Sequence, residues 1–307
     1  MLDVTRLRVL VAVARHKSVT AAAEALHYAQ PSVSHHLARL EAETGSRLVQ
    51  RVGRGIRLTE AGRLLADRAE EILGRLDAAE EELAAHSGLR AGRVRLAAFP
   101  SALGTFVPAA AAAFDAEHPG VDLRFREAEP PEAIGLLRRG EVDVAVIFTH
   151  DDGPDVAGLR TEQLFEDETY LVAPEDWPGD RLADHRERRW IGGCERCRDE
   201  LLRACAAEGF TPDIRFTTDD YVAAQQLVAR NLGVTTLPAL ALTAHRNDRV
   251  RVVRLPGRVR RVLVAVAGAA PDPPATRALL ERIRASSPRP PAAGPEPRAT
   301  AGRARHP

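Results

Sequence analysis

The segment from Ser18 to Leu58 constrains the chain most, because it sets two short helical patterns, a tight turn and a glycine-centred ribbon in fixed order. Ser18 can cap a helix over Val19–Leu26, whose alanines allow close packing. After His27, Tyr28 and Ala29, Pro31 of Gln30-Pro31 falls in a first helical turn, where its missing N–H costs nothing. The helix that follows, to about Glu43, buries Val33, Leu37 and Leu40 at i, i+4 and i+7 and presents Ser32, Ser34, His35, His36 and Arg39 on its other face. Thr44-Gly45 stops it. Arg47 and Arg51 flank Leu48-Val49, and Val52-Gly53-Arg54-Gly55-Ile56-Arg57-Leu58 reads as a two-stranded ribbon with a glycine turn. With a preceding helix through Val4, Leu7, Leu10, Val11 and Ala14, these are the ingredients of a winged helix-turn-helix.

Residues 60–87 contain no proline and, past Gly62 in the first turn, a single glycine, Gly74. Leu65, Ile72, Leu76 and Leu83 follow a 7, 4, 7 spacing, which predicts a long helix pairing with a second copy; the alternative is a surface helix packed on its own domain. Charge follows the same division. The total is zero, 43 basic against 43 acidic residues, but it is a cancellation: residues 1–60 carry +4 and four of the ten histidines, 61–90 carry −3, 91–285 carry −4 and 286–307 carry +3. Lys17 is the one lysine, so nearly every cation is a guanidinium suited to bidentate contact with phosphate or guanine. Genome base composition is the weightier account of that ratio.

Beyond Gly88–Gly92 short apolar runs alternate with helical stretches. Strands are predicted at Val94–Ala98, Val121–Phe125, Val142–Phe148, Thr169–Ala173, Ile214–Thr217, Val234–Leu237, Val250–Leu255 and Val262–Ala267, and helices at 102–117, 131–139, 197–208, 219–230 and 273–285. Such alternation predicts α/β architecture with mainly parallel sheets. From about residue 286 the chain is rich in Pro, Gly, Ala and Arg without apolar periodicity and reads as a disordered tail; its arginines either add sequence-independent DNA affinity or do nothing. No apolar run approaches the ~18–20 residues of a membrane span, and Met1–Thr20 lacks the features of a secretory signal, so a soluble, cytoplasmic location is expected. Three cysteines do not make a disulfide framework.

The N-terminal motifs resemble the LysR-type transcriptional regulators. The resemblance is carried by Leu7–Val13, Ser18–Leu26, Gln30-Pro31-Ser32-Val33-Ser34, Leu40-Glu41, Gly45, Arg47-Leu48, Arg51 and Arg57-Leu58-Thr59-Glu60-Ala61-Gly62, in order and at fixed spacing. Farther on, Phe114, Pro119, Gly140-Glu141-Val142-Asp143 and Asn231–Pro238 serve as landmarks, so it covers nearly everything except the tail. It implies a winged helix-turn-helix domain of all-α type (1–59), a dimerising linker helix (60–88) and an α/β effector-binding domain (91–285) of two subdomains like those of periplasmic solute-binding proteins, about 91–162 plus 268–285 and about 163–267. Two departures stand out: Ala29 replaces a capping serine, and Val49-Gln50 replaces Phe-Glu.

The resemblance also implies site residues. Gln30, Ser32, Ser34 and His35 occupy positions that enter the major groove, with Pro31 against a thymine methyl, while Arg39, Arg51, Arg54 and Arg57 suit phosphate or the minor groove. Ser101 and Ala102, opening a helix after Pro100, are the first effector-pocket choices, followed by Pro130, Phe148, Thr149, Gly193, Cys194, Asp219 and Asp220 at strand ends; any of these is alternatively a plain cap, Asp219 especially. Pro130 stands where the family often has a hydroxyl, which lowers the expectation of a carboxylate held from both sides. Cys194, Cys197 and Cys205 form C-x2-C-x7-C around a helix start, open to three readings: incidental thiols, a redox sensor, or a metal site lacking a recognisable fourth ligand.

The resulting expectation is a sequence-specific DNA-binding regulator responding to a small-molecule effector. Its partners are double-stranded DNA, the effector and further copies of itself as homodimer or homotetramer, with RNA polymerase as an additional candidate; no membrane, cofactor or metal is expected. The alternative is a solute-binding protein or enzyme with an accessory helix-turn-helix domain. Against it, the sequence holds no Walker loop, G-x-S-x-G, H-E-x-x-H or paired-carboxylate motif.

Overall fold

The computed structural model describes residues 2–52, 55–86, 92–150, 156–268 and 270–288. The N-terminal unit opens with α1 (Val4–His16), capped by Asp3, whose carboxylate accepts from the Arg6 N–H. Ser18 caps α2 (Val19–Ala25) by accepting from the Ala21 N–H, and α3 (Gln30–Thr44) ends at Gly45, whose φ of +64° is left-handed backbone that favours glycine. Ala29, at the start of α3, makes no side-chain cap bond; Pro31 carries no N–H, and the Ser32 and Val33 N–H groups donate to the Ala29 carbonyl at 2.9 and 3.3 Å. The wing is β1 (Val49–Val52) paired antiparallel with β2 (Gly55–Leu58). Glu41 fastens it to α3, accepting from the Leu48 and Val49 N–H groups at 2.8 and 3.2 Å. Leu7, Leu10, Val33, Leu37, Leu40 and Leu48 form the core of this unit.

Helix α4 (Glu60–His86) begins where Thr59 donates to the Arg47 carbonyl and accepts from the Gly62 N–H. Its first turns complete the N-terminal core through Ala66 and Ala69, whereas Ile72, Leu76 and Leu83 stay exposed. Leu65, expected in the same seam, packs instead against the N-terminal core. At Gly74 the helix backbone lies directly against that of Arg139-Gly140, leaving no space for a Cβ.

The second half contains β3 (Arg93–Ala98), α5 (Pro100–Leu103), α6 (Phe106–Glu117), β4 (Asp122–Glu127), α7 (Pro130–Arg138), β5 (Val144–Thr149), β6 (Leu159–Pro174), β7 (Arg189–Gly192), α8 (Glu195–Ala207), β8 (Asp213–Thr217), α9 (Tyr221–Val228), β9 (Thr235–Pro238), α10 (Ala239–Ala244), β10 (Val250–Ala267) and α11 (Pro274–Ser286). Six strands form one sheet in the order β4-β3-β5-β10-β6-β9, and β7-β8 form a second. The expectation of mainly parallel sheets is corrected: β3 pairs parallel with β4 and β5, and β7 with β8, but β10 runs antiparallel to β5 and β6, and β6 to β9. The cause is topological. The chain crosses from the first subdomain to the second along β6 and returns along β10, so the two crossing strands run in opposite directions.

These crossing strands also differ from the shorter ones expected. The first half of β6, Leu159–Phe165, pairs with Val262–Ala267, and its second half pairs with Val250–Arg254; the hand-over falls at an irregularity between Arg254 and Val259. Pro256-Gly257, a turn signal in the sequence, is absorbed there as a bulge, with Gly257 at φ +73°. Two cores flank the sheet in the first subdomain, around Phe99, Phe114 and Val264 and around Ile134, Leu137 and Ile147. Two more hold the second, around Leu171, Trp190 and Leu201 and around Val172, Ile191 and Val228.

Candidate functional site

Two surfaces carry chemistry. On α3, burying Val33, Leu37 and Leu40 turns Gln30, Pro31, Ser32, Ser34, His35 and Arg39 outward together, all exposed. The Gln30 amide donates to the Ser34 hydroxyl at 3.1 Å, which restrains the Gln30 side chain without burying it. Arg57 is exposed on β2, so the wing adds a cation beside the helix. Arg51 lies in β1; its side chain and all of Arg54 fall outside the described residues.

The other surface is a cavity of about 60 Å³ between the two α/β subdomains. Phe99, Ser101, Glu129 and Phe148 line it from the first, and Gly193, Cys194, Cys197, Asp219, Tyr221 and Thr235 from the second. Arg260, on the returning strand, is buried between them at 4% exposure. Its guanidinium donates to Asp167 at 2.8–2.9 Å and to the Ser101 hydroxyl at 2.8 Å, and stacks against Phe99 and Phe148 with its carbon 4.8 and 4.4 Å from the ring centres. Asp167 also accepts from the Leu240 N–H, the first turn of α10, at 3.1 Å. The cation is thus balanced within the protein.

Glu129 is in the opposite condition. Burial pushes its carboxyl up to about 7, the neighbouring Cys197 adding to the rise, and one of its oxygens is buried without a hydrogen-bond partner. Cys194 and Cys197 hold their sulfurs 3.0 Å apart. The Cys194 S–H donates to Cys197, which pulls the Cys197 thiol down to about 5 against the effect of its burial, with His150 and Arg260 assisting; Cys194 is correspondingly pushed up. No group of three or more His, Cys, Asp or Glu side chains is placed to hold a metal among the described residues.

The comparisons with known proteins agree with this geometry. Residues 4–63 match the model of the bacterial regulatory helix-turn-helix protein, lysR family, and residues 87–288 match the LysR substrate binding domain. The chain belongs to the LysR family of transcriptional regulators. It is 38% identical over 146 residues to the HTH-type transcriptional regulator CfxR of Cupriavidus necator, covering 48% of this chain and 46% of that one. It is 31% identical over 253 residues to a probable hydrogen peroxide-inducible genes activator of Mycobacterium avium, covering 77% and 78%. The chain spans about half the length of the first curated relatives it matches. Among solved structures, full-length CbnR complexed with its target DNA superposes with a TM-score of 0.63 at 23% identity, over 93% of this chain and all of that one, a likeness of fold.

Within this LysR-family fold the residues expected at the cleft divide. Ser101, Phe148, Gly193, Cys194 and Asp219 line the cavity. Ala102 and Pro130 are buried away from its lining, and Thr149 turns its hydroxyl to the His150 carbonyl. Asp220, not Asp219, caps α9, accepting from the Val222 and Ala223 N–H groups. Two residues with central roles in the geometry, Glu129 and Arg260, were missed. Glu129 stands next to Pro130, and Arg260 is one of three arginines within four positions of a strand, where alternation separates Arg261 from Arg258 and Arg260 without saying which face is inward.

Proposed function

We propose that the chain is a sequence-specific DNA-binding transcriptional regulator, with a reading head over 1–59, a linker helix over 60–88 and an effector-binding domain over 91–285. The observation that carries this reading is the outward polar face of α3, Gln30, Ser32, Ser34, His35 and Arg39, opposite a fully buried apolar face. Gln can pair bidentately with adenine, hydroxyls reach base edges or phosphate, and arginines bind the backbone. The printed title of CbnR with its target DNA supports double-stranded DNA as partner.

The cavity between the subdomains is the effector site. With Arg260 already paired and the Thr235 hydroxyl donating to the Ile191 carbonyl, it offers a small ligand the neutral acid of Glu129 and two aromatic rings rather than a free cation. The exposed Ile72, Leu76 and Leu83 of α4 pair with a second copy, which sets a roughly palindromic target. Among the described residues no helix is long and apolar enough to cross a membrane, and the regulator acts in the cytoplasm, where the DNA is. A gel-shift with DNA from upstream of the protein's own gene tests the reading. Retardation of that fragment at concentrations that leave scrambled DNA free supports it, and equal retardation of both overturns it.

A further inference from the structure

Helices α7, α8, α9 and α10 all begin at the wall of the cavity between the subdomains, so each presents its positive end there. The chain's own groups already answer three of these ends. Asp220 caps α9, accepting from the Val222 and Ala223 N–H groups. Asp167 accepts from the Leu240 N–H in the first turn of α10. Cys197 lies in the first turn of α8, where the Cys194 S–H above all, then His150 and Arg260, draw its thiol down to about 5 against the effect of burial, so that helix starts on a thiolate. Arg260, the one cation among the described lining residues, is neutralised by Asp167 and also donates to Ser101.

The groups left open on the wall accept rather than donate. Glu129 occupies the N-cap of α7 without making a cap bond, and its Oε2 is buried without a partner. Asp219, at the exposed rim, pairs with no cation among the described residues. An anionic ligand would meet the Cys197 thiolate and Asp219 and find no unpaired cation, whereas a cation would meet two carboxyl groups. We propose that this cavity takes a small primary ammonium ion, whose three N–H donors are shared between Glu129 and Asp219. That the ion acts as the effector, changing DNA affinity when it binds, rests on the regulator reading above. Volume limits its size: about 60 Å³ is well below the ~150 Å³ at which an apolar cavity takes up benzene, so methylammonium fits and an aromatic amine does not.

Proton release accompanies this binding. Glu129 faces Cys194 and Cys197 from α8, Arg260 from β10 and Asp219 from the turn before α9. Burial first, and then Cys197, raise its carboxyl to about 7. The ammonium ion therefore meets a partly protonated acid, sends its proton to solvent and pairs with the carboxylate left behind. Below 7 the ligand competes with that proton, so affinity rises with pH and levels off above 7. An alkylammonium stays charged throughout, as a lysine side chain does. Between pH 6 and pH 8 binding should tighten roughly tenfold, with about 0.9 proton released per ligand at the lower pH and about 0.1 at the higher.

The test is calorimetric titration of the full-length, reduced protein with methylammonium chloride at constant ionic strength, in two buffers of different ionisation enthalpy. Potassium chloride and sodium acetate serve as the monatomic-cation and anion arms. Methylammonium should bind with a Kd in the millimolar range, as so few atoms allow, and with the proton release given above. Glu129→Gln should weaken it at least about tenfold and abolish the proton release, while Asp219→Asn, at the exposed rim, should weaken it several-fold and keep the release. Binding of acetate instead, equal binding of potassium, no binding of methylammonium, or unchanged binding by both variants overturns the proposal. DNA binding is read separately by anisotropy on the protein's own upstream DNA and on scrambled DNA. If the protein selects its own DNA and methylammonium does not bind, the ammonium site fails and the regulator stands; if methylammonium binds and the two DNAs are not distinguished, the site stands and the regulator reading falls. Methylammonium that binds and leaves DNA affinity unchanged overturns its role as effector.

Discussion

Arg260 and Glu129 face the same cavity under opposite constraints. Arg260 and Asp167 form a buried ion pair, the guanidinium also donating to the Ser101 hydroxyl and stacking on Phe99 and Phe148. Removing one partner leaves the other charged and buried, so Asp167→Ala should lower unfolding free energy by about 3–5 kcal/mol in urea denaturation; a loss under about 1 kcal/mol would show that water replaces the carboxylate. Glu129 acts through pH. Its carboxyl ionises near 4.5 when unfolded and near 7 when folded, so the unfolded chain releases its proton first as pH rises between these values. The folded state therefore loses stability from about 4.5 to about 7, by on the order of 3 kcal/mol, and the loss stays constant above. Glu129→Gln should remove this slope, and a variant whose stability falls between pH 5 and 8 as steeply as the wild type's contradicts the assignment. Neither residue was legible beforehand. Arg260 is hidden in an arginine-rich strand whose alternation does not say which face is buried, and Glu129 becomes unusual only once Cys197 and Asp219, far along the chain, close over it.

Elements were legible where local chemistry decided them. The Ser18 cap, the Gly45 stop and the Val33–Leu37–Leu40 face define α2 and α3 within a residue or two, because capping and amphipathic periodicity act over a few positions. The stretch of β6 from Leu159 to Glu168 escaped because Glu162, Glu166 and Glu168 break up any apolar run, and Arg254 and Arg284 pair with Glu168 and Glu162 only after folding. The short β7 and α10 escaped too, being defined by the strands and the Asp167 carboxylate they meet. Ala29→Ser, which supplies the missing side-chain acceptor beside the Ser32 N–H, should stabilise by up to about 1 kcal/mol in thermal denaturation; no gain would mean that the residue 29 carbonyl already satisfies that N–H. Gly74 gives the opposite case. In an isolated helix Gly→Ala stabilises by roughly 0.5–1 kcal/mol, but here the added Cβ meets the Arg139 carbonyl. Gly74→Ala should therefore destabilise the chain and raise amide exchange around residues 136–141; increased stability would contradict the docking of α4 on α7.

At the scale of the molecule, that docking joins the reading head to the sensor. Arg15 of α1 and Arg139 at the end of α7 share Glu70 of α4, at 3.0 and 3.5 Å, and Arg139 also holds Glu141 at 2.8 Å. Burial raises the Glu141 carboxyl, but Arg139, Arg15 and Arg126 outweigh it and hold it below the ordinary range. The order head, linker, sensor and the basic head itself were readable from charge and periodicity in the sequence. The antiparallel crossing strands were not, since their pairing joins residues 76 to 108 positions apart. In the function proposed above α3 reads bases while the wing binds backbone. Fluorescence anisotropy of the full-length protein on its own upstream DNA and on scrambled DNA, from low to high salt, tests it most directly with Gln30→Ala and Arg57→Ala. Gln30→Ala should cost about 1–3 kcal/mol on the cognate site and leave scrambled DNA unchanged, whereas Arg57→Ala should weaken both and flatten the salt slope by about one unit. Equal losses on both DNAs from both substitutions, or wild-type affinity that does not distinguish the two DNAs, would contradict it.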